Sequence, residues 1–551
     1  MSAEPVRTEP ARPAPARAEG TAVDKGLKGG AIGLLASVVI GISSTAPAYS
    51  LAATLGFVVI GVGVKAPAFM LLAFVPMYFI AVAYAELNKR EPDCGTTFTW
   101  AARAFGPRTG WLGGWGIIAA DVIVMANLAQ IAGAYGFKLF GLDSLADSTL
   151  WTTVAGVAWI VLMTYICYRG LEVSARLQYV LLTVEVLVLV AFAAFALVKV
   201  YAGDAPDGSL HPSLSWLWPS GISWTDFTGA VLLAIFIYWG WDTAVAINEE
   251  TTDPEKTPGR AAVISTVLLL ATYTIVSVAT VAFAGVGTNG LGLGNEDNAD
   301  DVFNALSKAV FGHGFVGSAL QVLLIVSVLT SASASTQTTI LPTARASLSM
   351  GAYGAIPRSF AKVHPRYLTP SVSTIWMGAV SVVFYVGLTL VSENVLADSI
   401  AAVGILIAFY YGMTGFACAW EFRRDLHTPR DVLMRFVIPL IGGVMLLVVF
   451  VLACKEYLDP DYGYTVIFGV GGVFVVGIGT LVLGALLMVV YNAIAPAFFR
   501  GETLRAGTGD LLLERDGVVT VGLPDSREST VIAPDRSNLP PGREPYDPRG
   551  A

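Results

Sequence analysis

Hydrophobic residues in this chain fall into long runs separated by short polar breaks. A run of about twenty apolar residues suits a helix crossing the ~30 Å hydrocarbon layer of a bilayer, because each helical residue advances about 1.5 Å. Twelve such blocks are predicted, over residues 30–58, 65–87, 111–139, 151–167, 175–200, 225–248, 261–286, 314–342, 371–391, 396–420, 431–454 and 464–494. Polar, Pro- and Arg-rich stretches flank them and predict disordered tails at residues 1–26 and 495–551. The first tail is too long and too polar to open a signal peptide.

Composition changes the picture only by excluding a soluble fold. Charged residues make up 13% of the 551 residues and hydrophobic ones 55%. That charged share is about half the usual one for soluble domains, too little to cover the surface of so large a core. The expected fold class is an all-α polytopic membrane protein with 12 transmembrane helices.

Charge also sets the expected orientation. With the N-terminus in the cytoplasm, only Lys65, Lys138, Lys199, Lys308 and Lys455 of the 33 Lys and Arg residues fall on the far side. Cytoplasmic loops retain basic residues, so the split predicts a multi-pass protein of the plasma membrane with both termini in the cytoplasm. No basic stripe suggests nucleic acid. Cys94, Cys167, Cys418 and Cys454 lie far apart without metal-type spacing, and the four histidines fall in predicted loops. No metal site or cofactor is expected. No Gly-rich nucleotide loop is present, which argues against direct ATP drive, and no loop offers a catalytic cluster, which argues against an enzyme.

Two blocks are interrupted near their middles. Helix 1 contains Gly41 to Pro47 (GISSTAP), and helix 6 contains Tyr238 to Thr243 (YWGWDT). Pro removes a backbone donor and Gly is weakly helical, so either run can unwind. At membrane depth unwound backbone is tolerated only where it is buried or lines a cavity. A simple kink explains one such break. Two breaks five helices apart fit inverted repeats, residues 27–200 for helices 1–5 and 220–420 for helices 6–10, with helices 11–12 at 431–494, and paired breaks point to a transporter's substrate site.

The run Phe236 to Asp242 (FIYWGWD), followed by Asn248 to Ala261 (NEETTDPEKTPGRA), resembles helix 6 and its acidic exit in the amino acid–polyamine–organocation superfamily of permeases. Ala344 to Met350 (ARASLSM), Gly354 to Pro357 (GAIP), Lys362 to Pro365 (KVHP) and Pro370 resemble the loop after helix 8 of the same family. The resemblance covers about residues 27 to 495. It implies the leucine-transporter-like 5+5 inverted repeat plus two further helices, and a secondary transporter of an amino acid or related amine, proton-coupled or exchanging. A sodium-coupled symporter of the same fold is the alternative, and a sensor that binds without transporting is an alternative of another class. Two departures stand out. The family's Gly-x-Gly turn in helix 1 is here Gly41-Ile42-Ser43, and where some proton-coupled relatives place Lys in helix 5 this chain has Glu185.

On this reading, backbone amides of Ser43, Ser44, Thr45 and Ala46 at a half-helix end suit a substrate carboxylate. The resemblance assigns the carbonyls of Tyr238, Trp239 and Gly240 to an ammonium group. Phe236, Trp239 and Trp241 either close over the substrate or simply pack. Asp242 either faces substrate or caps the second half of helix 6. Glu185 and Asp121 are the other mid-membrane carboxylates, without an obvious basic partner. Each either takes part in proton coupling or stays protonated and hydrogen-bonded. Glu86, Glu249 and Glu250 are expected to pair with basic residues at the interface. The hydroxyl-rich run Thr330 to Thr339 in helix 8 suits either a sodium ion or close helix packing.

Overall fold

The computed structural model describes residues 25–504, apart from Asp300, Ser392, Asp461 and Tyr464, and two strands at 511–515 and 518–522. Residues 1–24 and the rest of the C-terminal tail lie outside the described residues. Lys25, placed in the tail by the sequence, is instead fully buried in the folded body. Residues 496–504 also pack, with Phe498, Phe499 and Leu504 buried.

Ten helical stretches among the described residues are long and apolar enough to cross a membrane. The first, Leu34–Arg90, runs 57 residues. At about 1.5 Å per residue that is roughly 85 Å, far more than one crossing. It is divided into α1 (Leu34–Thr45), α2 (Pro47–Val62) and α3 (Ala66–Arg90), with a short 3-10 turn at Gly63–Lys65 before α3. The short amphipathic α4 (Thr97–Phe105) follows, then α5 (Pro107–Leu139), α6 (Asp143–Ala146), α7 (Thr149–Arg169) and α8 (Leu171–Ala202).

The predicted helix 6 is two pieces, α9 (Trp224–Ile237) and α10 (Thr243–Ala246), parted by a turn. Beyond it come α11 (Thr257–Ala284), α12 (Val302–Phe311), α13 (Phe315–Ala352), α14 (Ser371–Val391) and α15 (Glu393–Phe422). The chain ends its membrane part with α16 (Pro429–Asp431), a π-helical segment at Val432–Val437, α17 (Ile438–Glu456), α18 (Gly472–Ile494) and α19 (Pro496–Phe499). The last span begins at Gly472 rather than 464, because β1 (Val466–Ile467) and β2 (Val470–Gly471) form a small antiparallel hairpin there. β3 (Leu511–Arg515) and β4 (Val518–Gly522) pair antiparallel.

Burial separates the centre from the wall. The most apolar stretch of Pro107–Leu139 is 78% buried, against 17% for Gly472–Ile494, so α5 is central and α18 peripheral. α1 packs on α8, α11 and α13, while α2 packs on α9. α9 also packs on α3 and α15, and α10 on α11, α13 and α1, so the two broken helices meet each other inside the helical body.

Candidate functional site

The break in helix 1 is a single residue. Ala46 adopts a left-handed conformation (φ 47°), and Pro47 starts α2, where its missing N–H costs nothing. This corrects the expected donor set. Ser43, Ser44 and Thr45 form the last turn of α1, and the amide of Ala46 donates to Ser43 O at 3.2 Å. These residues turn carbonyls, not free amides, toward the break. Ser335 Oγ donates to Ser44 O (2.9 Å) and Ser50 Oγ to Thr45 O (2.7 Å).

The positive helix end belongs to α2 instead. Its Ala48 amide donates to Glu185 Oε1 at 2.7 Å, and its Tyr49 amide donates to Ser331 Oγ at 3.2 Å. Ser331 Oγ in turn donates to Glu185 Oε1 (2.7 Å). Glu185, fully buried on α8, thus caps α2 in place of a local side chain, with the helix dipole favouring its carboxylate. Tyr49 and Asn127, which carried no sequence signal, join this site through a hydrogen bond from the Tyr49 hydroxyl to Asn127 Oδ1.

Across from it lies the turn of helix 6. Gly240 has φ 120°, and a Cβ there would lie 2.7 Å from Ser44 O, so the two breaks touch backbone to backbone. Only glycine permits both the conformation and the approach. Gly240 O accepts from the Thr243 amide (3.1 Å), whereas the carbonyls of Tyr238 and Trp239 take no backbone donor among the described residues. Ser44 Oγ and Thr243 Oγ1 are 2.8 Å apart, tying α1 to α10.

Asp242 precedes α10 but makes no side-chain cap there, contrary to one of its two readings. It accepts from the Tyr410 hydroxyl at 3.2 Å, and that hydroxyl also receives the indole N–H of Trp239. Trp241 packs with its ring centroid 5.2 Å from that of Tyr84 and 5.1 Å from that of Tyr411. Asp121 on α5 accepts from Thr343 Oγ1 of α13, and the two are not part of the Glu185 cluster. In the hydroxyl-rich run, Ser333, Thr336 and Thr338 donate to carbonyls of their own helix, while Ser331 and Ser335 reach across to the broken helices.

Phe236, Tyr238, Trp239, Asp242 and Ser43 to Ala46 are all buried. Four buried polar groups at or beside the breaks, Ser43 Oγ, Glu185 Oε2, Tyr238 Oη and Trp241 Nε1, have no partner among the described residues. Buried polar groups are usually hydrogen-bonded, so these four are available to a polar ligand at the breaks.

Below the breaks, on the face where the N-terminal segment lies, charged residues close the structure. Lys25 Nζ is 2.9 Å from Asp93 Oδ2 and 2.6 Å from Glu249 Oε1. Burial alone works against its ammonium, but Asp93 and other neighbours including Glu249 outweigh it and raise its pKa well above the ordinary value. Burial likewise pushes Asp93 up, yet Lys25 and the Gly95 amide more than offset this and hold it at about 2. For Glu249 burial prevails, and its pKa is raised despite Lys25. Arg345 forms a two-pronged pair with Glu250 (2.7 and 3.0 Å), and Glu86 pairs with Lys89 and Arg435. The strand-like residues before α1 join this closure: Ala31 N donates to Glu250 O (2.8 Å), and Ile32 bridges Thr251 in parallel. Asp93, Cys94 and Glu249 are close enough to share a metal ion, but Lys25 already occupies the carboxylates.

The amino acid permease family profile matches residues 32–491. An uncharacterized transporter of Mycobacterium bovis is 27% identical over 413 residues, 75% of this chain and 83% of the relative. The branched-chain amino acid permease BcaP of Lactococcus lactis is 25% identical over 61% of this chain and 70% of its own. The low-affinity putrescine importer PlaP of Escherichia coli is 23% identical over 75% of this chain and 86% of its own. The matched region contains both breaks, Glu185, Asp242 and the closing ion pairs formed by Arg345.

Proposed function

This chain belongs to the amino acid permease family, and from that premise we propose that it is a secondary transporter moving an amino acid or related amine by alternating access. It is a transporter and not an enzyme. The observation that carries the reading is the set of orphaned polar groups at two touching helix breaks. The proposed binding residues are Ser43, Ser44, Thr45, Ala46, Phe236, Tyr238, Trp239, Gly240 and Asp242. The carbonyls of Tyr238 and Trp239, which take no backbone donor among the described residues, suit an ammonium, and Asp242 adds negative charge beside them. Relatives named for branched-chain amino acids and for putrescine share an amine as the common chemical feature.

Glu185 is the proposed proton carrier, with Asp121 and Asp242 the alternates. While ionised, Glu185 holds the Ala48 amide and the positive end of α2. Protonation removes that charge and releases a site for the substrate's carboxylate. Proton and carboxylate would then enter together, because one negative charge replaces another at the same helix end. The architecture proposed is twelve spans, with helices 1–5 and 6–10 as inverted repeats, in the plasma membrane with both termini cytoplasmic. Uptake of labelled amino acids and polyamines into proteoliposomes, under imposed proton and sodium gradients, tests the reading. Accumulation driven by the proton gradient, or exchange, supports it. Strict dependence on sodium selects the symporter alternative, and binding without any uptake overturns transport.

A further inference from the structure

We propose that a groove on the outer face of α15 and α17 binds an anionic diacyl phospholipid, with an acyl chain along the groove and the phosphate on Arg423. The groove encloses about 770 Å³ and lies away from the helix breaks. Phe409 and Phe416 of α15 line it, together with Phe436 and Leu440. Phe436 belongs to the π-helical segment Val432–Val437. A π turn shifts side chains around the axis relative to an α turn, and such segments recur at functional sites.

The groove opens on an exposed apolar surface of the helices. Phe105, Trp420 and Leu447 all line it and are all exposed, and Val444, Val448 and Val451 continue the same apolar face along α17. An apolar groove in that position meets lipid chains, not an aqueous solute. Its walls offer an amine substrate no carboxylate.

The headgroup assignment rests on charge. Among the described residues, Arg423 is the one charged residue lining the groove. Its guanidinium stacks over the Trp420 ring at 3.8 Å and donates to Trp420 O. No carboxylate pairs with it among the described residues, because the acids nearby are already committed. Glu421 and Asp425 pair with Arg90, and Glu86 and Asp431 pair with Arg435. A second exposed arginine, Arg108, is adjacent in the chain to groove-lining Thr109. Net positive charge at the mouth of an apolar crevice between membrane helices suits an anionic headgroup.

The test is native mass spectrometry of the full chain given equal amounts of phosphatidylglycerol and phosphatidylcholine with identical acyl chains. The expected result is one retained phosphatidylglycerol per protomer, with about fivefold preference over phosphatidylcholine. Arg423→Gln should abolish the preference while a lipid is still retained. Leu440→Trp should fill the groove and reduce retention of both lipids. Arg423 is exposed, so its variant is expected to fold even if the Trp variant does not, and it then decides the question alone. Equal retention of the two lipids by the parent overturns the proposal. So does an Arg423→Gln variant as selective as the parent, or a second copy of the chain found in place of lipid.

Discussion

Glu185 and Gly240 show what single residues contribute. Glu185 accepts two hydrogen bonds at 2.7 Å, from the Ala48 amide and the Ser331 hydroxyl. Glu185→Gln retains an acceptor for both but cannot gain or lose a proton. The variant is expected to bind substrate and exchange it across the membrane, yet to reach only equal concentrations on the two sides under an inward proton gradient. Flux assays on one preparation check both halves, and accumulation equal to the parent's returns the role to Asp121 or Asp242. Gly240→Ala is expected to lower thermal stability by about 1–3 kcal/mol and to abolish most uptake. Its Cβ would lie 2.7 Å from Ser44 O in a backbone conformation with φ 120°, so the two breaks must separate. A melting curve and an uptake rate like the parent's would show that the contact is dispensable.

Among elements, the segment before α1 closes the face on which the proposed alternating access opens. It is held by Lys25 and by the pairing of Ile32 with Thr251. Removing one partner of a buried ion pair costs about 3 kcal/mol or more, roughly a hundredfold in an opening equilibrium. Lys25→Ala is therefore expected to lower hydrogen-exchange protection of the Ala31 and Thr252 amides by about that factor. The pH dependence has a defined sign. Asp93, depressed to about 2, contributes fully above the ordinary aspartate value, and that contribution is lost only as pH falls through about 2. Lys25, raised, contributes below the ordinary lysine value and is lost only as pH climbs through its raised value. Glu249, raised, favours the closed form as pH falls. Protection corrected for intrinsic exchange should thus hold or rise between pH 8 and 5. A decline on acidification would show that other groups hold the segment.

For the whole molecule, the sequence-based orientation leads to a labelling pattern in intact cells. Cysteines introduced at the exposed positions Gly208 and Asp297 should react with an impermeant reagent, and one at exposed Arg260 should not. The reverse pattern would invert the topology. The apolar blocks, the interruptions at Pro47 and Gly240, and the asymmetry of basic residues were all legible in the chain, because each depends on residues close together in sequence. Membrane spans follow from local runs of apolar side chains, and breaks follow from the backbone chemistry of Pro and Gly. The partner of Glu185 was not legible, since it is an amide 137 positions away. Nor was Lys25, whose two carboxylates are 68 and 224 positions distant; in sequence it looks like the end of a polar tail. The sequence located the break in helix 1 but not which amides it frees, because that depends on which residue of the run turns left-handed. In the fold it is Ala46, next to the Ser44 carbonyl that Gly240 approaches. Local sequence determined that there are membrane helices and where they break. Only tertiary contact, by bringing distant charges and helix ends together, decided which groups are satisfied and which, among the described residues, are left without a partner.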